Sequence, residues 1–436
     1  MADLPTRGVL RGARLAALPV SYAGRRAVSV GRRLGGQPAE LVAQQVHVRT
    51  AEQLFTVLGD LKGGAMKVGQ WLSAMEAALP DQVAGPYGDA LTRLQEAAPA
   101  LPTSVINNVL VEDLGPGWRE TLRDFQDQPA AAASVGQVHR ATWQDGRAVA
   151  VKVQYPGAGE ALAVDLRQLD RFVPLVRVAA PGVQAGDLFR QLREHVLSET
   201  DYPQEAAAQE AFRAALLDDP DYLIPAVVGA AGRVLISEWV DGTPVAEVAR
   251  TGSHLERDRV GALIVRFLLS SPVRVGRLHG DPHPGNFRLM PDGRLAVLDF
   301  GSTLAMPHGW PARMTALLAA ARDGDSSAVA QIAADAGLLD PEEVTGADLV
   351  EVLSPLLEPL RVEHFAFSRG WLRGQTLRFS DPRGKAARVQ RKLRIPVKYL
   401  LVQRVGAGTT GVLCSLGARV NVRQEAAAWL PGWRVR

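Results

Sequence analysis

The stretch HGDPHPGNF at residues 279–287, with LDFGS beginning at Leu298, constrains this chain more than any other feature. Asp281 precedes Asn286 by five residues, and Asp299 follows at the end of FRLMPDGRLAVLDFG, whose PDG reads as the turn of a hairpin. A hairpin returns its second strand to the start of its first, so Asp299 is expected beside Asn286. Two carboxylates and an amide oxygen would then collect at one place, and such hard oxygen donors suit Mg²⁺. Structural loops seldom reproduce every element of this set. His279 reads as a support of the loop rather than a reacting group. His283 has no cysteine or third histidine near it to make a zinc site.

The rest of the chain has the composition of a globular protein with a real core, at 47% hydrophobic and 22% charged residues over 436 positions. One cysteine, Cys414, excludes an intramolecular disulfide and a multi-thiolate metal site. A net charge of +3 is too mild to imply a nucleic-acid partner. The distribution is less even, because residues 1–36 hold seven arginines against Asp3. That segment reads either as a basic amphipathic helix on an anionic membrane surface or as a solvated extension. Its arginines recur where a secretory signal needs an apolar stretch. No uncharged apolar run approaches the ~20 residues of a spanning helix, so a cytoplasmic protein, peripheral on a membrane at most, is expected.

Four regions follow from the changes of period: a basic segment at 1–37, helices at 38–125, a small sheet with an internal helix at 126–241, and a helical body containing the second hairpin at 242–436. Helical spacing dominates residues 38–125, and no strand signal appears before about residue 130. VGQVHRATWQDGRAVAVKVQY then reads as two strands joined at QDG. Strand side chains alternate, so Val149, Val151 and Val153 share one face, and Ala148, Ala150 and Lys152 share the other. Lys152 therefore lies on a face of small residues that would accept a flat ligand, or else reaches solvent from an edge. YLIPAVV and RVLISEWVDG read as further strands.

Phosphoryl transfer asks little covalent chemistry of a protein: a cation for the phosphates, oxygens for Mg²⁺, and an acceptor near the attacking group. Each has a candidate here, in the order kinases use. AAAASVGQ, residues 130–137, occupies the turn before the first strand, where a phosphate-covering loop would lie, with Ala131, Ala132, Ala133, Ser134, Val135 and one glycine, Gly136. Lys152 would hold the phosphates. SETDYPQEA offers it Glu199, Asp201 and Glu205, of which Asp201 and Glu205 share a face if the segment is helical. Asp281 would orient or deprotonate the nucleophile, with Asn286 and Asp299 as metal ligands.

With KVGQ at Lys67 to Gln70, AAASVGQVH, VAVKVQYPG, ETDYPQEA, HGDPHPGNF and DFG in this order, the chain resembles the UbiB or AarF family of atypical kinase-like proteins from about residue 40 to 420. The resemblance implies an α+β, protein-kinase-like two-lobe fold with an N-terminal helical extension packed over the nucleotide site. It implies that Lys67 and Gln70 lie on that extension, that Glu199 and Asp201 contact it, and that Glu205 pairs with Lys152. It places Ala150, Glu238 and Val240 with the alanine-rich loop around ATP or ADP and Mg²⁺. An extension in the place of a peptide substrate implies that proteins are not phosphorylated in trans, and the family's association with isoprenoid quinone and lipid metabolism implies a lipid or quinone-precursor acceptor. Two other readings stand beside this one: a nucleotide-binding pseudokinase that regulates a partner, and a small-molecule phosphotransferase with a similar HGDxHPGN loop. Many family members carry C-terminal membrane helices, whereas here YLLVQRVGAGTTGVLCSLGARVNV is interrupted by Arg404 and Arg419.

Overall fold

The computed structural model describes residues 101–160 except Ser134, residues 200–434 except 381–383 and 395, and the isolated positions 163, 190 and 197. The basic N-terminal segment and KVGQ lie outside the described residues.

The described chain opens with helices α1 (Thr103–Leu114) and α2 (Trp118–Thr121). Strands β1 (Leu122–Arg123), β2 (Ala131–Ala133), β3 (Gly136–Trp143) and β4 (Ala148–Gln154) follow. Helix α3 (Tyr202–Leu216) precedes β5 (Tyr222–Leu223), β6 (Val227–Ala231) and β7 (Val234–Glu238). The upper sheet runs β1-β3-β4-β7-β6, with β2 also on β3. Its strands pair antiparallel throughout. Alternation along β4 holds as expected: Val149, Val151 and Val153 are fully buried, and Lys152 faces the other way. They share one core with Ile106, Leu110, Trp118 and Ile236, so α1 and α2 close the back of the sheet. Arg233, at the β6–β7 turn, donates to Asp113 and Glu112 and ties α1 to it.

Two sequence expectations are corrected in this region. Strand structure begins at β1, ahead of residue 126, in a two-residue piece too short to carry an alternation signal. Ala131–Ala133 is a strand paired with Gly136–Val138, not a turn, with Ala133 opposing Gly136. Alanine has low strand propensity, and register with β3 overrides it here.

The lower lobe contains β8 (Thr243–Pro244), α4 (Val245–Thr251), α5 (His254–Arg274), β9 (Arg277–His279), β10 (Phe287–Leu289), β11 (Leu295–Val297) and β12 (Thr303–Ala305). Helices α6 (Ala312–Arg322), α7 (Ser326–Asp335) and α8 (Gly346–Arg361) come next, then β13 (Phe365–Ala366), α9 (Arg369–Ser380), α10 (Lys385–Lys392), α11 (Val397–Leu416), β14 (Arg419–Val420) and α12 (Val422–Trp429). Helix α5 is started by a reciprocal capping box between Ser253 and Glu256. It runs through a second core with Ile264, Phe267, Phe287 and Leu413, separate from the upper one. Cys414 is buried there, and burial pushes its thiol up to about 12, so it is a packed, unreactive residue. No helix among the described residues is long and apolar enough to cross a membrane.

Candidate functional site

The site lies where the two lobes meet, and sheet register builds most of it. In the β10–β11 hairpin Phe287 opposes Val297, and the Leu298 amide donates to the Asn286 carbonyl at 2.8 Å. The hairpin thus returns Asp299 to the neighbourhood of Asn286. Strand β9 pairs with β12, His279 opposing Thr303, so the segment entering the HGDPHPGN loop lies against the segment leaving DFG.

His279 joins these two segments chemically. Its ring is fully buried, Nε2 lies 2.9 Å from the Asp299 carbonyl, and the Asp281 amide donates to Nδ1 at 3.4 Å. These partners require a neutral ring with the proton on Nε2. Burial holds its pKa below the ordinary histidine value, against the pull of the nearby aspartates. Phe212, Phe267, Phe287 and Phe300 surround the ring at centroid distances of 5.4–6.5 Å. His279 is therefore a support, as its position in the motif suggested. His283 accepts from the Gly285 amide at 3.1 Å and caps the short helical turn Pro284–Asn286.

Asn286 donates through Nδ2 to both the carbonyl and the Oδ2 of Asp281, at 2.9 and 3.2 Å. That orients the amide: its nitrogen is committed to Asp281, and its oxygen is directed elsewhere. Asp299 adopts a left-handed backbone with φ 57°, a conformation rare for a residue with a side chain and concentrated at functional sites. Its Oδ1 accepts from the Gly301 amide at 3.2 Å. A Cβ on Gly301 would lie 3.2 Å from Glu205 Oε2 and 3.3 Å from Asp299 Oδ1, so glycine permits the two carboxylates to approach.

Lys152 stands between them. Its ammonium donates to Glu205 at 2.8 and 3.0 Å and lies 3.5 Å from Asp299 Oδ2 and 5.2 Å from the centroid of the Tyr202 ring. Burial alone would depress its pKa, but the Asp299 and Glu205 carboxylates outweigh burial and raise it, so the lysine is a permanent cation. Of the three acids offered by SETDYPQEA, the structure brings Glu205 to Lys152. Asp201 is the N-cap of α3: its side chain accepts from the Gln204 amide at 2.9 Å and its carbonyl from the Glu205 amide at 3.0 Å. The Asp-Tyr-Pro order explains this placement, since proline favours the first turn and a short acceptor side chain favours the cap. Glu199 lies outside the described residues.

The alanine-rich segment covers the other side. Val135 is buried, and its carbonyl accepts from the Tyr155 amide at 2.9 Å, which draws the turn down onto the end of β4. A Cβ on Gly136 would lie 2.3 Å from the Val153 carbonyl, so glycine is required there by close backbone approach. Glu238 ends β7 and Val240 follows it in the connection between the lobes. The Glu238 carboxylate accepts from Arg147 and from the Ala226 amide, both at 3.0 Å, and its own amide donates to the Ala226 carbonyl at 2.9 Å, so it braces the sheet. Ala150 is half-buried on the Lys152 face.

No cluster of three or more His, Cys, Asp or Glu side chains that would hold a metal occurs among the described residues. An Asn–Asp pair fits Mg²⁺ without one, because Mg²⁺ takes one or two protein carboxylates and completes its shell with phosphates and water. Asn286, with its amide oriented by Asp281, and Asp299, half-exposed, are the residues that would hold it. Sequence reasoning missed Arg404, whose Nη2 is 4.0 Å from Asp281 Oδ1.

Two lobes with separate cores, a lysine–glutamate pair between them and an Asp-Phe-Gly turn under it define a protein-kinase-like protein. Residues 93–333 match the ABC1 atypical kinase-like domain, and the chain belongs to that family, the UbiB and AarF group. It is 30% identical over 288 residues to the mitochondrial atypical kinase COQ8B of Rattus norvegicus, covering 65% of this chain and 54% of that one. It is 28% identical over 342 residues to the mitochondrial atypical kinase coq-8 of Caenorhabditis elegans, covering 76% and 44%. The chain thus spans about half the length of these curated relatives. Among solved structures, the erythromycin complex of Rv3197 from Mycobacterium tuberculosis is 40% identical, with a TM-score of 0.69, covering 92% of this chain and 100% of that one.

Proposed function

We propose that this chain binds ATP or ADP with Mg²⁺ between its lobes and acts as an atypical kinase or ATPase serving isoprenoid quinone or membrane lipid metabolism. The observation that carries the proposal is Lys152 held between Glu205 and Asp299 at 2.8 and 3.5 Å. A buried lysine bracketed by two carboxylates is expensive to assemble and has a use if phosphates enter beside it. Mg²⁺, when bound, supplies charge neutralisation for the phosphate oxygens. Asn286 and Asp299 would hold it, Asp281 would orient or deprotonate the acceptor, and residues 131–136 would cover the phosphates. A lipid or quinone precursor, rather than a protein, is the proposed acceptor, met at the periphery of an anionic membrane.

The test is Mg²⁺-dependent phosphate release from ATP by the wild type, Asp281→Asn and Asp299→Asn, with and without anionic liposomes, alongside nucleotide binding. Turnover that both substitutions abolish supports the proposal. Binding without turnover under every condition replaces it with a pseudokinase that acts on a partner.

A second reading has one specific support: the 40% identical relative is described in complex with erythromycin. A tryptophan-fluorescence titration with erythromycin, with and without Mg-ADP, tests whether this chain also takes a macrocycle. An unchanged signal across the titration removes that reading.

A further inference from the structure

Helix α11 lies far from the catalytic loop in sequence and presses against it in space. A Cβ on Gly408 would stand 3.1 Å from Pro282 Cγ, so the helix backbone passes close enough to the loop that a larger residue would press on Pro282. Arg404, one turn earlier on the same row of the helix, points its guanidinium at Asp281, with Nη2 4.0 Å from Oδ1. That distance is within ion-pair range and beyond a hydrogen bond.

The arginine is mostly covered, with 27% of its side chain exposed. Burial holds its pKa below the ordinary value, with Asp281 opposing. Among the described residues its guanidinium makes no hydrogen bond, although it carries five N–H donors in one plane. Asp281 does not require it for orientation, because Asn286 already holds the Asp281 carbonyl and Oδ2. Nor is another cation in place: residues 279–287 contain no lysine or arginine, and Lys152 is engaged by Glu205 and Asp299. A partly desolvated fork of donors beside a catalytic carboxylate matches a phosphate, which accepts two parallel N–H bonds from arginine.

We propose that Arg404 is an anion-recognition residue that takes a phosphoryl group placed beside Asp281, either the transferable phosphate of the nucleotide or a phosphate carried by the acceptor. The proposal rests on the nucleotide reading of the site and adds a binding residue supplied by the C-terminal helix. It also gives a reason for the interruption of this apolar helix by an arginine.

The experiment compares full-length wild type, Arg404→Gln and Arg404→Lys by isothermal titration with Mg-ADP, with the Mg²⁺ complex of a non-hydrolysable imido analogue of ATP, and with inorganic phosphate in the presence and absence of Mg-ADP. Thermal melts check folding, and Arg404→Lys retains the charge and the packed stem should Arg404→Gln fail to fold. If the transferable phosphate is the source, Arg404→Gln weakens the analogue about 10- to 100-fold and leaves Mg-ADP unchanged, with Arg404→Lys between. If the acceptor is the source, both nucleotides are unchanged and inorganic phosphate binding is lost. Equal binding by all three proteins in every titration overturns the proposal, as does an equal loss of Mg-ADP and the analogue. A wild type that binds no nucleotide defeats the functional proposal by itself. The phosphate titration without nucleotide then decides Arg404, and wild type without phosphate binding overturns this inference as well.

Discussion

Removing the charge of Glu205 tests how this site is assembled. The side chains of Lys152 and Glu205 are 15% and 2% exposed, so neither charge is well solvated. Taking one partner from a buried pair costs about 3–5 kcal/mol, because the other charge keeps its desolvation. For Glu205→Gln the cost should fall at the low end, about 3 kcal/mol, since Asp299 remains 3.5 Å from the ammonium. Lys152→Met removes the ammonium from both carboxylates and should cost about 3–4 kcal/mol. The double variant buries neither charge, so it should cost about 3 kcal/mol rather than the sum, a coupling of about 3 kcal/mol. The pair also has a predictable pH response. The pKa of Lys152 is depressed by burial and raised further by Asp299 and Glu205, for a net rise. A raised lysine contributes stability in full below its unfolded value of about 10.4 and loses it only as pH climbs through the folded value. The coupling should therefore be equal at pH 6 and pH 8. Denaturant unfolding of the four full-length proteins at both pH values measures it. Additivity within about 0.5 kcal/mol would refute the buried-pair argument.

Three further outcomes are expected. Gly136→Ala must move the turn off the Val153 carbonyl, 2.3 Å from the new methyl, and should lower the melting temperature and weaken Mg-ATP binding at least tenfold; unchanged binding would show that the turn is not part of the nucleotide site. Tyr202 carries a fully buried hydroxyl without a hydrogen-bond partner among the described residues, so Tyr202→Phe should leave stability unchanged or raise it by up to about 1 kcal/mol, whereas a loss beyond 1 kcal/mol in denaturant unfolding would reveal a partner. His139 is fully buried, and burial lowers its pKa, so its contribution is present above the unfolded value near 6.5 and is lost as pH falls through that value, at up to about 1.4 kcal/mol per pH unit; His139→Phe should flatten the stability profile between pH 6.5 and 5, and an unaltered slope would contradict the neutral burial.

What the sequence shows of this site follows the range of each interaction. Asp281, Asn286 and Asp299 are joined by a five-residue spacing and one hairpin, so their meeting is written locally. The β4 alternation that turns Lys152 away from Val151 is local in the same sense. Which acid reaches Lys152 is not local: three carboxylates within seven residues are equivalent until the helix start is known, and the Asp201 cap decides it. The strand at Ala131–Ala133 carries no propensity signal because it exists through its ladder with β3. Arg404 is the extreme case, an arginine that in sequence only interrupts an apolar run and in space faces Asp281.

Helix α3 explains why the site behaves as one unit. Tyr202 and Ala206, in its first half, pack against Leu235 of the upper sheet, while Ala208, Phe212 and Leu216 belong to the lower core. Glu205 projects from the first half toward Lys152, and Phe212, two turns on, meets Phe300 at a centroid distance of 4.9 Å. Phe300 directly follows Asp299, and His279, packed on both rings, bonds the Asp299 carbonyl. One contact between α3 and Phe300 therefore positions both carboxylates that flank the ammonium. If α3 shifted along its axis, Glu205 would leave Lys152, Phe300 would lose its seat, and the left-handed turn at Asp299 would lose the packing that holds it. The cation, its two carboxylates and the HGDPHPGN loop thus form together or not at all, the preorganisation that the proposed nucleotide site would need.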